Sequence, residues 1–240
     1  MEPKCNYCSF FGDKPHCHNC KIINKSRAHT PQEIDCSLEE LVEYINQNAD
    51  ISERFGVGDY KTIELYTGEK VKLIILDTDK DTLAEGNGEA RVTFGILKMD
   101  GSFEMNTQNT NEGGWGGSKM RKDYMDRFFR ILPEVLRNNI KPVLKKTSAG
   151  YRSSEIVYST DKVFLFSEIE VFGKTRYSYS GEGEQYEFFS FAQNISFDRY
   201  TWLRSPYYNV SGSFCYVDSS GEANYDGAGY TRGVALGFCI

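Results

Sequence analysis

The stretch from Trp202 to Ile240, WLRSPYYNVSGSFCYVDSSGEANYDGAGYTRGVALGFCI, limits the folds open to this chain more than any other. Its apolar residues come in small groups: Trp202 and Leu203, Val210, Phe214 and Val217, then Val234, Leu236 and Phe238. Tyr, Ser, Asn, Asp and Gly lie between them. This spacing predicts one short strand at Phe214–Val217 and another within Gly233–Ile240. Asp218–Tyr230 has no helical period, is too polar for core and is too rich in tyrosine for a plain linker. Tyrosine supplies rigid amphipathic contact area, while Ser, Gly and Asn supply adaptable hydrogen bonds, a mixture found in antibody paratopes. The candidate ligand-binding residues are therefore Tyr207, Tyr208, Asn209, Ser211, Ser213, Tyr216, Asp218, Asn224, Tyr225, Asp226 and Tyr230. The tyrosines among them, with Asn224 and Asp226, are expected to lie mostly exposed on one contiguous face. The apolar ending Gly-Phe-Cys-Ile is expected to be docked rather than frayed.

Upstream, Ser37 with Glu40 three residues later reads as a capping box. Leu38, Leu41, Val42 and Ile45 then share one helical face. Tyr60–Tyr66, a turn at Thr67–Lys70 and Val71–Leu76 read as a hairpin, and Arg91–Leu97 as another strand. Asp77, Asp79 and Asp81 alternate as in a calcium loop, but Thr82 stands where that loop needs glycine and Gly88 where it needs glutamate. A solvated acidic loop is the expectation. Asp100–Gly117 is long and glycine-rich. Its Trp115 is expected to pin the loop to the core, with stacking on a sugar ring as the alternative. Ser118 should cap a helix whose apolar stripe is Met120, Tyr124, Phe128, Ile131 and Leu132, ended by Pro133. Val143–Thr147, Glu155–Ser159, Val163–Phe166 and Glu168–Phe172 read as short strands. Lys174–Tyr186 reads as a polar loop leading to a phenylalanine cluster at 188, 189, 191 and 197. Because βαβ repeats are absent, the class is α+β rather than a doubly wound sheet. Three parts are expected: residues 1–30, a linker and amphipathic helix over 31–54, and a main domain over 55–240.

Cys5-x2-Cys8 and Cys17-x2-Cys20 are two paired-cysteine knuckles. Four thiolates close a tetrahedral zinc shell, and binding would supply folding energy that so short a segment lacks. Cys5, Cys8, Cys17 and Cys20 are the candidate ligands of a structural zinc ion, with His16 and His18 as alternative ligands and a disulfide cluster as the alternative chemistry. The helix that follows is expected to pack between this knuckle and the main domain or to bind a protein partner. Residues 1–30 carry five basic and two acidic groups, a net of +3. The chain as a whole carries −6, so the remainder carries −9. An acidic body argues against a broad nucleic-acid face there. A regulator that uses the knuckle on nucleic acid stands as a lesser alternative.

No apolar run reaches the length of a membrane span, and the beginning, MEPKCNYCSFFG, lacks the apolar region of a signal peptide. A cytoplasmic or virion-associated location is expected. All three histidines lie in the first 30 residues, so the main domain lacks imidazole for Ser-His-Asp or Cys-His catalysis. No P-loop is present, and no GxGxxG precedes a helix. A non-catalytic binding module is the leading reading.

A resemblance adds to this. Trp202-Leu-Arg-Ser-Pro206, Phe214-Cys-Tyr-Val217, Gly221 and Gly233-Val234 through Gly237-Phe238-Cys239-Ile240 resemble the end of the DUF6273 domains, found in phage and prophage genomes. Gly58-Asp59, Thr93-Phe94-Gly95, Met105-Asn106, Gly113-Gly114-Trp115 with Ser118 and Arg121, Leu132-Pro133, Asp161-Lys162 and Glu182-Gly183 extend it over residues 57–240. The resemblance implies a C-type-lectin-like fold, similar to the variable proteins of diversity-generating retroelements, with short strands, two main helices and long loops. Such a scaffold displays a diversified surface near its C-terminus, for a protein or glycan ligand on a cell surface. The same fold is shared with formylglycine-generating enzymes, which makes an oxidase using Cys215 and Cys239 the alternative, by fold analogy alone.

Overall fold

The structure, a computed structural model, describes residues 29–240. The four candidate zinc ligands lie outside the described residues. In chain order the first elements are α1 (Leu38–Gln47), β1 (Tyr60–Glu64), β2 (Lys70–Thr78), β3 (Val92–Ile96) and β4 (Phe103–Glu104). Next come α2 (Gly114–Gly117), a π turn (Met120–Tyr124) running into α3 (Met125–Ile131), and α4 (Glu134–Asn139). A hairpin of β5 (Val143–Gly150) and β6 (Ser153–Asp161) precedes α5 (Glu168–Phe172). The chain closes with β7 (Thr201–Pro206), β8 (Ser213–Val217), β9 (Ala223–Gly227), β10 (Thr231–Arg232) and β11 (Leu236–Cys239). Among the described residues helix and antiparallel sheet are mixed without βαβ units, so the class is α+β, as expected. Among the described residues no helix is long and apolar enough to cross a membrane.

The main sheet has the order β1-β2-β3-β11, antiparallel throughout. β11 pairs Phe238 with Phe94 on β3, and single bridges from Gly237 to Phe164 and from Cys239 to Lys141 cover its other side. All four β11 residues are buried, so the end of the chain is interior, as its apolar sequence requires. α1 starts as the sequence predicts. The Glu40 amide donates to Ser37 Oγ at 3.1 Å, and the Ser37 amide donates to the Glu40 carboxylate at 2.8 Å. Leu41, Val42 and Ile45 join the same apolar core as the main sheet.

Trp115 is fully buried and donates from Nε1 to Asp161 at 3.0 Å, which makes it the anchor of its loop. The helix after Ser118 opens with a π turn, whose extra residue buries Met125 beside Tyr124. Three expectations are corrected. Glu168–Phe172 is a helix, not a strand. Ser167 and Glu170 form a second capping box and Gly173 closes the helix in the left-handed region. Val163–Phe166 is not a strand: Val163 lies in a bend, and among the described residues the segment joins a ladder only through the Phe164–Gly237 bridge. The Asp77–Asp81 loop is not a solvated acidic loop, since Asp77 and Asp81 are buried and hydrogen-bonded.

Candidate ligand-binding site

The expected binding residues fall on and around the three-stranded sheet β7-β8-β9. Directly opposed residues of an antiparallel pair share a face. Tyr225 opposes Cys215, whereas Asn224 opposes Tyr216 and Asp226 opposes Phe214. The sheet therefore sends Tyr225 to one side and Asn224, Asp226 and Tyr216 to the other. The single exposed face expected from composition divides in two.

On the Tyr225 side the rings gather. Tyr207 stacks on Tyr225 with centroids 3.9 Å apart and planes 20° apart. Tyr177 meets both edge-on at 5.8 and 5.1 Å. Tyr208 packs on Tyr207 at 5.2 Å and on Tyr179 at 6.0 Å. Tyr207 is the buried floor of this cluster, contrary to the expectation of exposure, while Tyr208 and Tyr225 are 41% and 39% exposed. Tyr177 and Tyr179 carry no signal of this role in the sequence, since they sit about thirty residues upstream in what reads as an ordinary polar loop. Asn209 is exposed and Ser211 half-buried beside the cluster.

The other side is packed rather than displayed. Tyr216 is buried against Trp202 and Tyr200, and the Arg232 guanidinium lies 4.1 Å from its ring centroid and pairs with Asp226. Ser213 is buried. Asp218 closes the β8–β9 turn by accepting from the Ser220 amide and hydroxyl and from the Glu222 amide. Partial burial pushes its pKa up, but those donors outweigh it and hold the carboxyl below its ordinary value. Tyr230 is exposed in the turn before β10. β9 ends its sheet, and the Tyr225 and Gly227 amides on it are occupied by the Asn224 and Asp226 side chains at 2.9 and 2.7 Å. That blunts the edge against pairing with another strand.

Two buried side chains hold the tyrosine cluster in place. Asn111 donates from Nδ2 to the carbonyls of Val210 at 3.0 Å and Ser213 at 2.8 Å, and its Oδ1 accepts the Tyr151 amide at 2.8 Å. One amide thus joins the 207–213 loop to the tip of the β5–β6 hairpin. The contact needs glycine at 150, since a Cβ there would collide with the Asn111 carbonyl. Glu168 accepts from the Tyr177 amide at 3.0 Å and from the Ser178 amide and hydroxyl, each at 2.7 Å. It ties the Tyr177–Tyr179 loop to α5.

Beneath this lies a buried chain of alternating charges. Arg204, fully buried, makes a two-pronged pair with Glu170 and donates to the carbonyls of Leu165 and Glu182. Lys145 spends its three protons on Asp81 at 2.6 Å, Glu170 at 2.7 Å and the Tyr186 hydroxyl at 2.8 Å. Burial alone would raise the pKa of Asp81 and of Glu170, but the adjoining cations hold both carboxyls below their ordinary values. Glu182 differs. It accepts from the Ser148 amide at 2.8 Å and from the Ser205 hydroxyl, and burial pushes it up to about 7. Asp81, Lys145, Glu170, Glu182 and Tyr186 floor a cavity of about 540 Å³, rimmed by Lys80, Glu89, Lys146 and Glu184. Cys215 and Cys239 form no disulfide, and burial pushes both thiols well up, away from the thiolate that nucleophilic or redox chemistry needs. Among the described residues no group of three or more His, Cys, Asp or Glu is placed to hold a metal ion.

No curated protein and no solved structure matches the chain. Residues 75–240 match the domain of unknown function DUF6273. Several residues that carry the resemblance are scaffold in this structure: Trp115 anchors its loop, Arg204 and Ser205 hold the buried network with Glu182, and Phe238 fills the main sheet. The matched span takes in β3 to β11 and covers well over half of the sequence, and so the chain belongs to the DUF6273 family.

Proposed function

We propose that this chain is a non-catalytic ligand-recognition module whose contact surface is the tyrosine cluster of Tyr177, Tyr179, Tyr207, Tyr208 and Tyr225. The observation that carries the reading is the stacked Tyr207–Tyr225 pair, with three further rings packed around it at the edge of a rigid sheet. Rings pinned from below lose little freedom on binding, and clustered tyrosines make binding hot spots. The ligand is a protein or glycan on a cell surface. In this reading the body is a C-type-lectin-like scaffold of phage or prophage origin, similar to the variable proteins of diversity-generating retroelements. The α+β class, the long loops and the interior C-terminal strand support it. Both buried thiols carry raised pKa values, which favours recognition over a cysteine oxidase. Cys5, Cys8, Cys17 and Cys20 hold a structural zinc ion in the same proposal. Metal analysis of the purified chain should find one zinc per molecule, and a value near zero with the four thiols oxidised sinks that part.

The direct test is a glycan and surface-protein array probed with the wild type and with the Tyr208→Ala/Tyr225→Ala double variant. Truncating one hot-spot tyrosine removes about 2 kcal/mol, or roughly thirtyfold in affinity. The half-exposed positions leave the thermal midpoint little changed. A ligand held equally well by the double variant places the site elsewhere.

A further inference from the structure

The two-residue turn between β5 and β6 is built from the wrong residues for its shape. Tyr151 and Arg152 both have positive φ, 52° and 63°. Such a turn strongly prefers Asn-Gly, because a side chain in the left-handed region is strained. Strain of this kind clusters where a side chain is needed for contact. The turn is held from outside itself, through the Tyr151 amide on Asn111 and through the Tyr179 hydroxyl, which donates to the Arg152 carbonyl at 2.9 Å. Tyr179 belongs to the tyrosine surface and the buried Asn111 holds that surface in place, so the hairpin tip adjoins it. Tyr151 is 65% exposed, and Arg152 is exposed beside it. On the facing loop Arg176 is exposed, with its guanidinium 5.2 Å from the Tyr177 ring centroid. Neither arginine has an ion-pair partner among the described residues.

We infer that this surface, taken as the recognition surface proposed above, binds an acidic carbohydrate, with Arg152 and Arg176 gripping its carboxylates and Tyr151 and Tyr208 lying against its sugar rings. Two guanidinium groups without an ion-pair partner among the described residues stand at one aromatic surface of a chain whose net charge is −6. A planar guanidinium matches a carboxylate in two-pronged geometry. Exposed ring faces suit the flat C–H face of a pyranose. Two arginines are too few for a nucleic-acid backbone, whose binding rests on several phosphate contacts.

The test uses the full chain and two matched pairs of probes: β-1,4-oligoglucuronate against the neutral cello-oligosaccharide of equal length, and sialyllactose against lactose. At least one acidic member should bind tenfold or more tighter than its neutral partner, with a preference that fades as salt rises. R152Q and R176Q should each remove most of that preference. The turn swap Y151N with R152G should weaken acidic-sugar binding and also raise the thermal midpoint by about 2–4 °C, because it relieves the strain. Four results overturn the inference: no binding to either acidic probe, equal binding to acidic and neutral partners, tight binding of poly-glutamate in place of the sugars, or a turn swap that stabilises the fold and leaves acidic-sugar affinity intact. None of these four removes the recognition surface itself, which falls only if the tyrosine double variant binds its array ligand normally.

Discussion

Lys145 shows how a single side chain is committed. Its side chain is 2% exposed, and its ammonium faces the Phe164 ring at 4.1 Å and lies between two buried carboxylates. Replacing it with methionine keeps the stem, strands Asp81 without its cation and leaves Glu170 with Arg204 alone. Breaking a buried pair in this way costs about 3–5 kcal/mol. Urea unfolding of Lys145→Met should show that loss, and a change under about 1 kcal/mol would mean that water already reaches the carboxylates. Glu182 gives the opposite test. Its pKa is about 7 in the fold against an ordinary 4.5. Between those values the folded chain keeps a proton that the unfolded chain has released, so stability falls as pH rises across that window. The full cost, of the order of 3 kcal/mol, is present above pH 7. Asp81 and Glu170 act the other way and lose their contribution as pH falls below the ordinary carboxylate range. Glu182→Gln still offers an oxygen to the Ser148 amide and a donor to Ser205. It should flatten the slope between pH 4.5 and 7 and raise stability above pH 7, and thermal melts across that range decide it.

Elements here are joined by polar side chains as much as by apolar packing. Asn111 links the loop after β7, the start of β8 and the β5–β6 turn through one amide group. Asn111→Ala leaves the Val210 and Ser213 carbonyls and the Tyr151 amide without this partner. An unsatisfied buried group costs about 1–3 kcal/mol, so a loss of about 2–3 kcal/mol is expected. Hydrogen exchange should quicken at residues 150–152 and 207–213 before it quickens in the main sheet. Uniform protection in the variant would show that the loops are held by their tyrosines alone. Local signals marked some elements and not others. The Ser37–Glu40 and Ser167–Glu170 boxes are the same chemistry, yet only the first is followed by a long apolar period. α5 spans five residues and hides in the sequence as a strand.

At the scale of the whole fold, the described residues are closed by their last strand. β11 lies between β3 and the bridges from Phe164 and Lys141, with Leu236, Phe238, Cys239 and Ile240 in the core. Each large apolar side chain removed from such a place is worth roughly 1.5–3 kcal/mol. Total domain stability is about 5–15 kcal/mol. Removing residues 233–240 should therefore abolish cooperative unfolding, as followed by calorimetry, and a truncated chain that melts at the wild-type temperature would defeat this. The sequence by itself determined the α+β class, α1 with its cap, the β1–β2 hairpin, the anchoring Trp115 and the interior last strand. Those follow from period, turn chemistry and burial of large apolar groups, which act over a few residues. Only the tertiary structure decided that Tyr207 and Tyr216 are buried, that Tyr225 and Asn224 face opposite ways, and that Tyr177 and Tyr179 complete the cluster. Strand register turns each side chain to one face or the other, and that register is set by pairing between distant segments. The same holds for the Asp81–Lys145–Glu170–Arg204 network, whose members span more than a hundred residues and become partners only when the hairpin, α5 and β7 close around them.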